Sequence, residues 1–92
     1  MTLNETYKKV SEGILSHASV KHDVSSAFLS LHESATKLWQ ATINQQKDKA
    51  PSCAAAALIS VFYVMRELGI ENPEECLKQR LDELNLDNLE KN

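Results

Sequence analysis

Carboxylates, imidazoles and thiols are the groups with which this chain could do chemistry, and they are thinly spread. His32 and Glu33 are adjacent, with Lys37 four positions after the glutamate. Read as chemistry, His32 is a base or ligand. Read as structure, the three are a solvated helix face with a Glu-to-Lys pair worth about 0.2–0.5 kcal/mol, and this is the reading the surroundings favour. His17, His22 and Asp23 stand close together, yet their spacing matches no metal motif and fits a polar turn. Cys53 and Cys76 form no CxxC pair and have no histidine at ligand spacing, so both are expected to be buried, reduced thiols. With Gly13 and Gly69 as its only glycines, the chain has no phosphate-cradling loop, and no serine sits in a nucleophile elbow. A second acidic set, Glu67, Glu71, Glu74 and Glu75, lies toward the C-terminal end. Trp39, Phe62 and Tyr63 suit a core or subunit interface better than a ligand pocket. No catalytic residue and no cofactor is assigned.

The elements that must position these groups are helical. Thr2-Leu3-Asn4-Glu5 fits a capping box, and Leu3, Tyr7, Val10 and Ile14 follow at helical spacing. Gly13 and the segment Ser16-His17-Ala18-Ser19 weaken the helix there. A second stripe then runs through Val20, Val24, Phe28, Leu31, Ala35, Leu38 and Thr42, widened by Ala27 and Trp39. Its phase hardly slips from the first, so one bent helix over 3–46 is the alternative to two helices at about 3–16 and 21–46. A polar linker at about 44–50 leads to Pro51, a residue suited to a first helical turn. From Cys53 to Met65 the chain reads CAAAALISVFYVM, thirteen residues without a charge. The alanines favour helix, no second strand is at hand to pair with Val61–Val64, and Arg66-Glu67-Leu68-Gly69 is a helix stop. The spacing predicts a helix over 51–68, apolar on nearly every face and therefore buried on all sides. Asn72-Pro73-Glu74-Glu75 then starts a helix at about 73–85 with core positions Leu77, Leu81 and Leu84, which Leu86 and Leu89 extend.

Size and charge narrow the classes. Ninety-two residues, 42% hydrophobic and 25% charged, suggest a single domain over 1–92. The net charge is −3: residues 1–49 carry six lysines against five acids, and residues 66–92 four basic residues against eight acids. Nothing there makes the basic face that a phosphate backbone requires, so no nucleic-acid partner is expected. The N-terminal MTLNETYKKV lacks the apolar core of a signal peptide. The apolar run is shorter than the roughly 20 residues a spanning helix needs, so no membrane partner is expected and the chain reads as cytoplasmic.

Leu29-Ser30-Leu31-His32-Glu33-Ser34-Ala35-Thr36-Lys37-Leu38 resembles the second helix of MazG-like proteins, the all-α nucleoside-triphosphate pyrophosphatases. That family carries a pair of acids there and a third acid three places on, before a leucine. Cys53 to Ile70, ending in Arg66-Glu67-Leu68-Gly69-Ile70, is similar to its third helix, and the capped acidic helix from Pro73 to Leu84 continues the likeness. It covers about 60 residues and rests on helix order and apolar pattern. The resemblance implies carboxylates on two facing helices holding Mg²⁺ against a triphosphate, because hard cations take oxygen ligands. At the matching positions this chain has Glu33, Ser34 and Lys37, then Cys53 and Ala56. Only Glu33 is an acid, and Lys37 puts a positive charge where the metal would sit. The departure excludes the family's mechanism at these positions.

The sequence therefore predicts an all-α, four-helix bundle-like domain with a buried central helix, forming a homo-oligomer. The interface is expected to draw on Phe28, Leu31, Trp39, Phe62 and Tyr63. A non-catalytic interaction or regulatory module, in the manner of a degenerate MazG-like protein with a protein partner, is the leading expectation. A nucleotide-acting pyrophosphatase using the C-terminal acids, and a small immunity-type or phage-borne inhibitor, are the rivals.

Overall fold

The computed structural model describes residues 2–84, and every described element is a helix. Four of them follow in order: α1 (Leu3–Ser16), α2 (Val24–Ile43), α3 (Ala50–Glu67) and α4 (Pro73–Leu84). The extension through Leu86 and Leu89 lies outside the described residues. α2 and α3 form an antiparallel hairpin, α1 packs on the far side of α3, and α4 touches α1.

Each boundary has a local cause. Thr2 caps α1, its Oγ1 accepting from the Glu5 amide at 3.1 Å. The chain breaks between α1 and α2 rather than bending. α2 begins at Val24, later than the apolar spacing suggests, because the Asp23 carboxylate takes the Ser26 amide at 2.7 Å and fixes the first turn there. That contact holds Asp23 below the ordinary carboxylate range. α2 ends at Ile43, short of the expected 46. Gln45 adopts φ 55°, and the amides of Gln46 and Gln45 turn back to Ala41 and Thr42 at 2.9 and 3.2 Å, a Schellman closure. α3 closes the same way through Gly69 at φ 79°, with Ile70 N–H on Met65 O at 3.0 Å. Asn72 Oδ1 caps α4 by accepting from the Glu75 amide at 3.1 Å.

The starts of α1 and α4 also cap each other. Asn4 N–H donates to Glu74 Oε1 at 3.0 Å, and Glu74 N–H donates to Asn4 Oδ1 at 3.1 Å. One carboxylate thus faces two helix N-termini, where free amides and the helix dipole both favour it.

The core is small. Tyr7, Ala27, Ala41 and Phe62 are its buried hydrophobic residues, with Pro73 fully enclosed. Phe62 meets Tyr7 edge-on, ring centroids 5.5 Å apart at 62°, and Tyr7 Oη donates to Ile70 O at 2.6 Å. These contacts hold α1 and the α3–α4 turn on the hairpin. The expectation that α3 is enclosed on every side is not met. α2 and α1 cover two of its flanks, while Leu58 and Ile59 remain about half exposed, at 51% and 50%. With only two neighbours lying along it, a helix that is apolar all round keeps bare sides. The thiols also differ from expectation: both are free, Cys53 half-buried and Cys76 exposed on α4.

Candidate functional site

The α2–α3 seam is built from small residues and one polar cluster. Ala27, Ser30, Ser34, Leu38 and Ala41 are the buried or half-buried positions of α2 toward α3, and small side chains let two helices approach closely. Ser60, 5% exposed, sits in this seam. Its Oγ donates its one proton to Ala56 O at 3.1 Å. Ser30 and Ser34, at 3.2 and 2.9 Å, must then both donate to Ser60. The cluster is fully satisfied, and no buried side-chain polar atom among the described residues lacks a partner. It sets the register: the middle of α2 lies beside Ser60, so Trp39 stands near the level of Ala54 and Phe28 near that of Met65.

From the seam outward, the 3.6-residue period of a helix fixes what each side presents. A quarter-turn from Ala27, Ser34 and Ala41 brings Val24, Phe28, Ala35 and Trp39 to the surface. The two helices run antiparallel, so the matching quarter-turn on α3 brings Ala54, Leu58, Val61 and Met65 to the same side. Trp39 is 63% and Phe28 60% exposed, and Leu31 is half-buried between them and the seam. The apolar face continues into a groove of about 270 Å³ between α3 and α4, lined by Leu58, Val61, Met65, Cys76 and Leu77 among others. Phe28, Leu31 and Trp39 are thus brought together on one open face. Phe62 is not on it; at 3% exposure it belongs to the chain's own core. Tyr63 points to the opposite side, where its hydroxyl donates to the Lys21 carbonyl.

That opposite side carries the polar groups. Tyr63 helps tie down the segment before α2, together with a cluster around Glu67. The Glu67 carboxylate is largely enclosed, paired with Arg66 and 3.7 Å from His22 Nδ1. Burial, followed by the negative charges of Glu67 and Asp23, raises the Tyr63 pKa above its ordinary value. Glu33 and Lys37 lie exposed on this side of α2, whereas His32, four residues after Phe28 and seven before Trp39, is exposed on the apolar side.

The acidic positions do not converge. Of the set implied by the MazG-like resemblance, Ser34 is committed to Ser60, Lys37 lies one turn from Glu33, and the facing helix offers a thiol and a methyl group at Cys53 and Ala56. One carboxylate with a lysine beside it does not suit Mg²⁺, which demands near-octahedral oxygen ligation. The C-terminal acids are no closer to a set. Glu67 is paired with Arg66, Glu74 caps Asn4, and Glu71 and Glu75 are exposed. Among the described residues, no group of three or more His, Cys, Asp or Glu side chains is placed to hold a metal ion. No helix there is long and apolar enough to cross a membrane.

Comparison of the chain with protein-family models, curated proteins and solved structures finds no match. The site reading therefore rests on geometry. Sequence reasoning missed Leu58 as a surface residue and the Asn4–Glu74 pairing. Nothing in a linear pattern signals that two helix starts, 70 positions apart, will meet.

Proposed function

We propose that this chain is a non-catalytic, cytoplasmic helical interaction module that works by burying the Phe28–Trp39 face of its hairpin against a protein surface. The observation that supports this reading is the area of bare apolar side chain on a chain this small. Two large aromatic residues lie on a single face more than half exposed, and loss of such exposure on binding stabilises a complex by about 25 cal/mol per Å². Patches of this kind on soluble domains mark interaction sites. The likeness to MazG-like pyrophosphatases is one of helix order and apolar pattern. The positions that would carry that family's acids hold Ser34, Lys37, Cys53 and Ala56, which is the pattern of a relative without catalysis.

The test is an assay of nucleoside triphosphates with Mg²⁺ or Mn²⁺, run beside a thermal melt with and without the metal. No pyrophosphate release and no metal-dependent rise in Tm is the expected result. Metal-dependent release that disappears in Glu33→Gln, or in a variant of Glu71 or Glu75, would replace this reading with the enzymatic one.

A further inference from the structure

We infer that the occupant of the hairpin face is a second copy of this chain, two α2–α3 hairpins closing face to face into a four-helix core. The inference rests on the interaction reading above and names its partner. Three observations carry it.

The first is area. Trp39, Phe28 and Leu58 are 63%, 60% and 51% exposed on this one face. The helices that carry it have 20 and 18 residues, so at 1.5 Å per residue and about 10 Å per helix width the face spans on the order of 600 Å² in projection. That is close to the ~800 Å² of accessible surface that each partner contributes to a standard interface.

The second is charge. A protein of net charge −3 repels its own copies except through a neutral surface. α2 carries Glu33 and Lys37, both on the side away from Phe28 and Trp39, and His32, which lies beside those two aromatics. α3 carries only Arg66 and Glu67, which pair with each other. The hairpin face therefore carries no carboxylate, ammonium or guanidinium group, only the His32 imidazole at its edge, and two copies meet without opposing fixed like charges.

The third is shape. The face sets large side chains, Phe28, Trp39 and Leu58, beside the small Ala35, Ala54 and Ala57. A surface with both projections and hollows can complement itself under two-fold symmetry, as an isologous contact requires. Hairpins paired in this way bury a core between four helices, and they would enclose the flank of α3 that the single chain leaves open.

Trp39 is the only tryptophan, so its fluorescence reports the contact directly. Light scattering and Trp39 emission with acrylamide quenching are followed across a dilution series of the wild-type chain and of Ala35→Arg. Ala35 is exposed, so the arginine disturbs nothing inside the chain yet places two guanidinium groups in the paired face. The wild type is expected at twice the 10.3 kDa chain mass, with Trp39 shielded and emitting to the blue. Ala35→Arg is expected to weaken pairing at least about 100-fold, giving a folded monomer with an exposed, quenchable Trp39. Phe28→Glu should do the same, and Lys37→Glu, on the far side, should not. A wild type that remains a folded monomer at every concentration overturns the inference but leaves a different protein partner open. A dimer unaffected by both Ala35→Arg and Phe28→Glu also overturns it. Metal-dependent triphosphate hydrolysis would sink the interaction reading while leaving the dimer untouched.

Discussion

Replacing Phe62 with alanine should remove a large share of the stability of this domain. Phe62 is one of four buried hydrophobic residues among those described, 3% exposed, and its ring packs edge-on against Tyr7 at 5.5 Å. Truncating a buried phenylalanine destabilises by about 3–5 kcal/mol, through lost transfer energy and the cavity left behind. The site argues for the lower end. Phe62 borders the open groove of about 270 Å³ between α3 and α4, so the vacated space joins a wet groove instead of forming a sealed void. Against this, Tyr7 loses an aromatic contact worth about 0.5–1.5 kcal/mol beyond area. A net loss of about 3–4 kcal/mol stands against the ~5–14 kcal/mol expected for a domain of this length. Urea unfolding followed by far-ultraviolet circular dichroism reads it out, at one protein concentration because self-association shifts apparent stability. With a urea slope of about 1–1.5 kcal/mol per M, the midpoint should fall by roughly 2–4 M. A fall below about 0.5 M with an unchanged slope would refute the placement of Phe62 at the centre of the core.

Three further outcomes follow from single contacts. Ser60→Ala removes the shared acceptor of Ser30 and Ser34 and should destabilise by about 1–2 kcal/mol. A double-mutant cycle with Ser34→Ala should show coupling, and strict additivity would count against the 2.9 Å bond. Tyr7→Phe removes the hydrogen bond to Ile70 and should cost about 1 kcal/mol at neutral pH. Burial raises the Tyr7 pKa, so its contribution is complete below the unfolded value of about 10 and is lost as pH rises through the higher folded value; Tyr7→Phe should therefore blunt the alkaline loss of stability, with Tyr63 retaining part of it. The Asp23 pKa is lowered by its bonds to Ser26, so its contribution is present above the ordinary carboxylate value and lost as pH falls through the depressed one. Asp23→Asn should keep the cap while flattening that part of the acid limb; a pH profile identical to wild type would contradict it.

Where the chain spells out its structure, the signal is local chemistry. Thr2 before Glu5, and Asn72-Pro73 before two glutamates, mark the starts of α1 and α4, because a short polar side chain there satisfies free amides. The two Schellman closures show the limit of such reading. Gly69 announces the end of α3, since glycine adopts positive φ without penalty. Gln45 makes the same turn at the end of α2 with no glycine to signal it, and the apolar spacing carried the expected helix three residues too far. The break before α2 was ambiguous for a related reason. The stripe keeps its phase across Ser16–Ser19, and the Asp23 cap, rather than the pattern, decides where the second helix begins.

The candidate site was legible in part, and the shortfall has one physical source. Periodicity tells which face of a helix is apolar, but not what covers it. Phe28 and Trp39 stand a quarter-turn or more round the helix from the seam residues Ala27, Ser34 and Ala41, with Leu31 between, so one broad apolar stripe holds both sets; the small residues face α3 and the large ones face outward. Close approach of two helices selects small side chains for the seam, which displaces the bulky ones to its flank. The run from Cys53 to Met65 is apolar on every side for the same reason: one side meets α2, one meets α1, and a third carries Ala54, Leu58 and Val61 beside Trp39. Composition signals three contacts for α3, and the single chain makes two of them along its length. The third face is where the physical argument passes from folding to association, because burial of Leu58 requires atoms that α2 and α1 do not supply.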